Sequence, residues 1–248
     1  RALRDDDVRQ FHFFLANFGA WRTYHGIEST TLITDNMKPY FRKRYVQNEY
    51  FLQPLNIWKW YYNNKRDLSL LSYPRFGNQV GAFVDEQFVG TGSFFNEIYG
   101  SILSGLIENK DRPVVADLGG GYGKLAYFTL RDLPQFSFID FDLPEVLCLA
   151  TYYLMKTFPH KKAMLYREEP YSEESHSKYD LIFMPSFKIE EVGSNSVDLF
   201  MNKNSLGEMA RESVENFVSN IARATSGYFF HMNHDNYPNI YENRRVGL

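Results

Sequence analysis

The chain has 248 residues with 27 basic and 30 acidic side chains, which leaves a formal net charge of −3. Hydrophobic residues make up 44% and charged residues 23%, a globular composition that excludes an intrinsically disordered chain. The charge balance gives no basis for binding nucleic acid, and the longest apolar run is far shorter than the roughly 20 residues that span a bilayer.

Residues 1 to about 110 carry helical patterns without alternation of strand and helix. Apolar residues between Asp5 and Phe18 recur every three or four positions, which predicts an amphipathic helix. An aromatic-rich stretch follows at 50–62, turn residues accumulate between Pro74 and Gly92, and a helix is predicted from about Ser93 to Glu108. We expect residues 1–110 to form a helical cap, or lid.

From Pro113 onward strands alternate with helices, which predicts a mostly parallel sheet with right-handed crossovers, an open Rossmann-like α/β fold. The segment 163–166 is either a further sheet strand or an edge hairpin, and 179–184 is preferred as the third core strand. Residues 111–248 are expected to form the cofactor-binding domain. The other predicted strands are 114–118, 136–141, 197–202 and 228–232, and the predicted helices are 124–131, 144–158 and 210–225.

A glycine cluster links the first of these strands to its helix and indicates a ligand-binding loop. It reads Val-Val-Ala-Asp-Leu-Gly-Gly-Gly-Tyr-Gly-Lys over residues 114–124. A phosphate-binding P-loop would need glycine at Leu118 and Ser or Thr at Leu125, and a dinucleotide loop would need glycine at Lys124. The pattern that remains is D-x-G-x-G-x-G.

This remaining pattern places Asp117 two residues before the first glycine, and Gly119, Gly120 and Gly121 form the loop. A carboxylate there repels a pyrophosphate but suits a cationic ligand, while glycines let a ligand approach the backbone. S-Adenosylmethionine carries an ammonium and a sulfonium group and therefore fits. The alternative is that the glycine cluster forms only a turn and binds no ligand.

Two carboxylates end the second strand, in Phe-Ile-Asp-Phe-Asp-Leu-Pro-Glu. Asp140 and Asp142 lie on one face of the strand, and an acid at this place can accept hydrogen bonds from both ribose hydroxyls. Asp142 is preferred because it is closer to the helix entry, and Leu143 would then cover one face of the adenine. The alternative is that the acid merely caps the helix.

These residues resemble known motifs. Asp117 to Ala126 resembles the first motif of class I S-adenosylmethionine-dependent methyltransferases, and Asp142 to Leu147 resembles the ribose-binding segment of small-molecule O-methyltransferases. Closer still, the Gly-Gly-Gly-Tyr-Gly loop, Tyr152-Tyr153-Leu154 and Ser196 to Met209 together resemble the bacterial sugar O-methyltransferase family. The resemblance covers about Gly81 to Asn236.

The resemblance implies that S-adenosyl-L-methionine is the cofactor and that the acceptor is a hydroxyl of a small molecule, a sugar or glycosylated metabolite. It also implies a sheet of seven strands whose last two form a hairpin. Only 16 residues follow Met232. We therefore expect that hairpin to be missing, and Arg1 at the start indicates a chain incomplete at both ends.

Methyl transfer to a hydroxyl needs a group that takes the acceptor proton, and that group should follow the fourth or fifth strand. His234, just past the fifth strand, is preferred, because histidine titrates near neutral pH. His231 lies inside the strand and is either a second candidate or a hydrogen-bonded core residue. The resemblance makes Glu208 an acceptor-binding or proton-abstracting candidate; otherwise it stabilises the first turn of the helix near Ala210.

Further candidates lie around the expected cofactor. Asn202 ends its strand close to the methionine part of the cofactor, and Ser186 with Phe187 would edge the adenine. No histidine has the spacing of a metal ligand, although a divalent cation between Asp235 and Glu208 stays open.

The remaining hypotheses concern partners and compartment. Methylation of an aromatic or polyketide hydroxyl, a non-catalytic methyltransferase-fold binding module, and an NAD-binding oxidoreductase all stay open. Aromatic residues of the first half would line an acceptor site, fill a core or form a homodimer contact. Cys148 is the only cysteine, and no signal peptide is evident, which together predict a cytoplasmic protein.

Overall fold

The structure, a computed structural model, describes residues 7–18, 21–22, 31–32, 51–79, 81–84, 86–233, 239–241 and 244–246. The chain forms two compact units, Arg1–Ser101 and Ile102–Leu248. Within the described ranges, no helix combines the length and the apolar character that crossing a membrane requires.

The first unit is built from helices and short hairpins. Its helices are α1 (Val8–Asn17), α2 (Gln53–Tyr61) and α3 (Ser93–Ile107), the last of which runs past the boundary between the units. Its strands pair antiparallel, β1 (Trp21–Arg22) with β2 (Thr31–Leu32) and β3 (Gly81–Val84) with β4 (Gln87–Gly90).

α1 and α3 lie where the patterns predict helices, and α2 falls within the aromatic-rich stretch, but the β3–β4 hairpin was not predicted. Four-residue strands give too short an alternation to identify, and here they lie in a region read only as turns. Glu86 lies between the two strands with a positive φ of 68°, which lets the chain reverse there. The first unit is therefore not purely helical.

A buried polar network ties α2 to α3 inside the first unit. The indole Nε1 of Trp58 donates a hydrogen bond of 2.6 Å to Glu97, and the other carboxylate oxygen of Glu97 accepts one of 2.9 Å from Arg66. Glu97 is buried, so its charge depends on these partners. The apolar core around the network contains Trp58, Leu71, Val89, Phe94 and Ile98.

The second unit is organised around a six-stranded sheet in the order β10-β9-β5-β6-β8-β7, with every neighbouring pair parallel. This is the Rossmann-like α/β fold that the alternation predicts. Its strands are β5 (Val114–Leu118), β6 (Ser137–Asp142), β7 (Ala163–Leu165), β8 (Leu181–Pro185), β9 (Val197–Lys203) and β10 (Thr225–Met232). Its helices are α4 (Lys124–Leu130), α5 (Pro144–Thr157), α6 (Ser175–Lys178) and α7 (Arg211–Ala224).

The strand order reverses at β5. The chain adds β6 and β8 on one side of it and then returns to add β9 and β10 on the other. In open α/β sheets such a switch point opens a crevice at the carboxyl ends of the strands, where ligands bind. The segment that follows β5 is the glycine cluster.

The structure assigns the strands at both edges of the sheet, which the sequence left open. β8 lies beside β6, which confirms that segment as the third core strand, and β7 is a parallel edge strand rather than part of a hairpin. At the other edge, β10 pairs only with β9 among the strands that the structure describes. The last described strands, β11 (Asn239–Tyr241) and β12 (Arg244–Val246), form a separate antiparallel pair.

Candidate functional site

The glycine loop leaves β5 in a conformation that favours glycine. Gly119, Gly121 and Gly123 have φ angles of 75°, 63° and 95°. The N–H of Gly119 donates to the carbonyl of Phe141 on β6 at 2.7 Å, which fixes the loop against the neighbouring strand.

Two of these glycines serve different purposes. A Cβ on Gly119 would lie 2.4 Å from the Cβ of Ser205, so the loop and the segment after β9 pack too closely for any side chain. A Cβ on Gly121 would meet nothing within 4 Å. Gly121 therefore faces open space, which a ligand could occupy against the backbone.

Asp142 joins the glycine loop to the end of β6. One of its oxygens accepts a hydrogen bond of 3.0 Å from the N–H of Gly121, and the other accepts one of 2.7 Å from the N–H of Leu143. Burial raises the pKa of Asp142 to about 6, and these two N–H groups oppose the rise. Leu143 holds the N-cap position of α5, so Asp142 is a partner of the loop rather than the cap of that helix.

Asp117 and Asp140 lie in register on β5 and β6 and are almost fully buried, at 1% and 0% exposure. Burial, followed by the charge of Asp142, raises the pKa of Asp117 to about 7, and Lys203 opposes this. Burial, then Asp142 and then Asp117, hold the pKa of Asp140 well above its ordinary value.

Two lysines complete the electrostatics beneath the loop. Lys203 ends β9, and Lys124 begins α4. Burial, followed by the charge of Lys203, lowers the pKa of Lys124 to about 7. Burial likewise lowers the pKa of Lys203, which Asp117 opposes. The glycine loop thus lies over three carboxyl groups, and Lys203 offsets the charge of one of them, Asp117.

Asn202 is the centre of a network that fixes the start of the loop. Its Nδ2 donates to the carbonyl of Leu118 at 2.8 Å and to the hydroxyl of Ser205, which itself donates to the same carbonyl at 2.9 Å. Its Oδ1 accepts from Asn233 at 2.9 Å, and Asn233 also accepts from the N–H of Gly207 at 3.2 Å.

With this geometry established, the chain can be compared with known proteins. No protein-family model and no curated protein matches it. Among solved structures, it is similar to human N-acetylserotonin methyltransferase in complex with S-adenosylmethionine, at 18% identity and a TM-score of 0.35, over 56% of this chain and 35% of that one.

Two further structures are the mitomycin 7-O-methyltransferase MmcR and the calicheamicin biosynthesis methyltransferase CalO1. MmcR is 16% identical with a TM-score of 0.39, over 59% of this chain and 41% of that one. CalO1, solved with S-adenosylhomocysteine, is 18% identical with a TM-score of 0.35, over 56% and 35%. This chain thus spans 35–41% of the length of each of these three proteins.

The catalytic candidates lie at the carboxyl ends of β9 and β10. His231 is exposed and its ring stacks on Phe229 at 5.3 Å, so the alternative of a buried core histidine is wrong. Glu208 lies in a 3-10 turn, Leu206–Glu208, three residues before α7 begins, so it is not a first-turn residue of that helix. His234 and Asp235 lie outside the described residues.

The residues predicted to contact the adenine follow β6 and β8, which lie on the side of β5 opposite to β9 and β10. Leu143 follows β6 and is 52% exposed, and Ser186 begins the turn after β8. Phe187 is 59% exposed and meets Tyr166 edge to face at 6.4 Å. An adenine-binding role for these residues stays a prediction.

Sequence reasoning missed Ser205, Asn233 and Lys203 as parts of the site. Only their place in the predicted sheet could have indicated them, since all three lie at or just after the carboxyl ends of β9 and β10, where ligands bind at a switch point. In the described part of the chain, no group of three or more His, Cys, Asp or Glu side chains has the arrangement of a metal site.

Proposed function

We propose that the chain is a class I methyltransferase that uses S-adenosylmethionine to methylate a hydroxyl of a small molecule, a sugar or glycosylated metabolite. The observation that carries the proposal is the placement of carboxyl groups around the glycine loop. Asp117 lies behind the loop, and Asp142 accepts a hydrogen bond from Gly121 within it.

This arrangement discriminates between the candidate cofactors. The pyrophosphate of NAD would place two negative charges against a loop that already lies over three carboxyl groups. The ammonium of S-adenosylmethionine is instead attracted to them. One oxygen of Asp117 has no hydrogen-bond partner among the described residues, so no neighbouring donor compensates its charge before a cation binds.

The residues of the chain would divide the remaining work. Asp142 would accept from the ribose hydroxyls, and Asn202 would hold the carbonyl of Leu118, where the loop begins. When bound, S-adenosylmethionine supplies an electrophilic methyl group. The groups proposed to orient the acceptor hydroxyl and to take its proton are Glu208, His231 and His234. Of these two effects, we expect positioning to contribute more to the rate than proton removal.

Calorimetric titration of the chain with S-adenosylhomocysteine, S-adenosylmethionine and NAD tests the cofactor. We expect both adenosyl ligands to bind and NAD not to bind. Asp142→Asn should weaken S-adenosylhomocysteine at least tenfold, because hydrogen bonds to a charged acceptor contribute about 1.5–3 kcal/mol each. Asp132→Asn is the matched control, because the Asp132 side chain is 72% exposed and pairs only with Arg131 in the described contacts. Binding of NAD alone would favour the oxidoreductase.

Methyl-transfer assays test the reaction and the acceptor class. With a panel of sugar nucleotides, glycosides and phenols, we expect turnover with a sugar hydroxyl, and Glu208→Gln or His234→Asn should lower kcat by about 10²–10⁴-fold while leaving cofactor affinity unchanged. The kcat of His231→Asn, compared with that of His234→Asn, shows which of the two histidines takes the proton. Cofactor binding without turnover on any acceptor would favour the non-catalytic binding module, and turnover on phenols alone would favour the aromatic acceptor.

A further inference from the structure

Asp117 and Asp140 form a pair of carboxyl groups that no hydrogen bond satisfies fully. Both oxygens of Asp140 and one oxygen of Asp117 have no partner among the described residues, although both side chains are buried. An ionised carboxylate in that situation loses its hydration without compensation. Two of them side by side add Coulomb repulsion to that cost.

Gly120 shows how closely the pair meets the glycine loop. A Cβ built on Gly120 would lie 3.0 Å from Oδ2 of Asp117 and 3.1 Å from Oδ1 of Asp140. The two carboxyl groups therefore approach the loop at the same residue, where any side chain would meet both of them. Because the two oxygens flank the same spot, the groups interact and titrate as a pair rather than singly.

The charged groups around the pair lie on β6 and β9. Asp142 on β6 adds a third negative charge, whereas Lys203 on β9 favours the charged form of Asp117. Asp142 is compensated by its two backbone N–H donors, which Asp140 lacks. Lys203 offsets part of the negative charge at Asp117, but burial opposes the charged form of this lysine too.

We propose that Asp117 and Asp140 share a proton in the ligand-free protein and release it to solvent when a ligand carrying an ammonium group binds over the glycine loop. The inference rests on the proposed function, because that ligand is the amino-acid end of S-adenosylmethionine. Asp140 is then a positioning residue that acts through Asp117.

The proposal predicts how affinity depends on pH. Each proton that binding releases makes Kd tighten about tenfold per pH unit while the pair is still protonated, and the gain ends once the pair has ionised. Since the pKa of Asp117 is about 7, the gain lies below neutral pH. At a higher pH the ligand amine itself loses its proton, so affinity should decline again.

Titration with S-adenosylhomocysteine in buffers of different ionisation enthalpy counts the protons directly. S-Adenosylhomocysteine has the ammonium but lacks the sulfonium, so it isolates the proposed contact. At pH 6.0 we expect release of close to one proton per ligand, falling toward zero by pH 8.0. Asp140→Asn keeps the shape of the side chain but removes one carboxyl group, and it should reduce the release at pH 6.0–7.0 by half or more. Asp132→Asn should release as many protons as the unchanged chain.

The outcomes separate this inference from the function on which it rests. Binding without proton release at any pH from 5.5 to 8.0 would overturn the inference and leave the methyltransferase proposal standing. Undiminished release by Asp140→Asn would also overturn it, because the proton would then belong to another group such as Asp142. Failure of S-adenosylhomocysteine and S-adenosylmethionine to bind at any pH would overturn the proposed function itself.

Discussion

The side chain of Asp140 lowers the stability of the folded chain, because a buried carboxyl group without a hydrogen-bond partner loses its hydration. Above about pH 3.9 the unfolded chain ionises this group, while the folded chain keeps the proton. The stability of the ligand-free protein should therefore fall as pH rises from about 4 toward neutral. Asparagine at this position has no such dependence.

Asp140→Asn is accordingly expected to raise the free energy of unfolding at pH 7, because the amide takes up no proton on folding. Each unit by which the pKa of the folded chain exceeds that of the unfolded chain corresponds to about 1.4 kcal/mol. The gain should shrink toward pH 4, where both states of the unchanged chain hold the proton. Denaturant unfolding at both pH values measures it. A loss of stability at pH 7 would show instead that Asp140 is satisfied by an interaction of its own.

At the scale of single residues, the sequence predicted the types of side chain at the site but not their pairing. Asp142 was preferred for its place in the chain, and its bond to Gly121 depends on the register of two strands, which spacing alone does not give. His231 could not be assigned to core or surface, because that depends on whether another strand lies beside β10. Asn233 follows β10 without any motif and was missed.

At the scale of elements, the Asn202 network joins three strands at one edge of the crevice. Asn202 belongs to β9, Leu118 ends β5, and Asn233 follows β10, so one buried amide fixes the relative position of all three strand ends. The segment between β9 and α7 carries Glu208 and is held by the bond from Gly207 to Asn233.

Asn233→Ala should release this segment. The change leaves the N–H of Gly207 and one acceptor of Asn202 without their partner, which costs about 1–3 kcal/mol. We expect amide hydrogen exchange at residues 204–208 to accelerate at least tenfold, with exchange in β5 and β6 affected less. Asn220→Ala is the control, because in the described contacts the side chain of Asn220 bonds only within α7, to Asn216 and Arg223. Unchanged protection at 204–208 would mean that other contacts hold the segment.

The elements themselves were largely predictable in the second unit. β5 was predicted with its observed bounds, and α4, α5 and α7 agree to within a residue, because buried parallel strands are continuous apolar runs and the helices between them carry clear end signals. The four-residue helix α6 was not predicted. The β3–β4 hairpin has neither feature. Its strands are four residues long and only partly buried, so periodicity could not reveal it.

At the scale of the whole molecule, the two units carry different spectroscopic probes. The three tryptophans are Trp21, Trp58 and Trp60, and all belong to the first unit. The glycine loop and its carboxyl groups belong to the second. Tryptophan fluorescence therefore reports the unfolding of the first unit, whereas hydrogen exchange in β5 and β6 reports that of the second.

A ligand of the loop should separate these probes. At a hundred times its Kd, S-adenosylhomocysteine adds about 2.7 kcal/mol to the unit that binds it. We expect protection in β5 and β6 to rise by that amount and the thermal midpoint of tryptophan fluorescence to rise less. Equal shifts of both probes would show that the two units unfold as one.

The place of β5 between β6 and β9 also bears on how the chain folds. The bond from Asn202 to the carbonyl of Leu118 joins residues 84 positions apart, and the parallel pairing of β5 with β9 spans a similar length. Contacts of such long range form slowly, because the intervening loop must close before they stabilise anything. On the ribosome, the glycine loop would emerge long before its partner Asn202. In the partial sheet β5–β6–β8, one edge of β5 therefore stays unpaired until β9 has been synthesised.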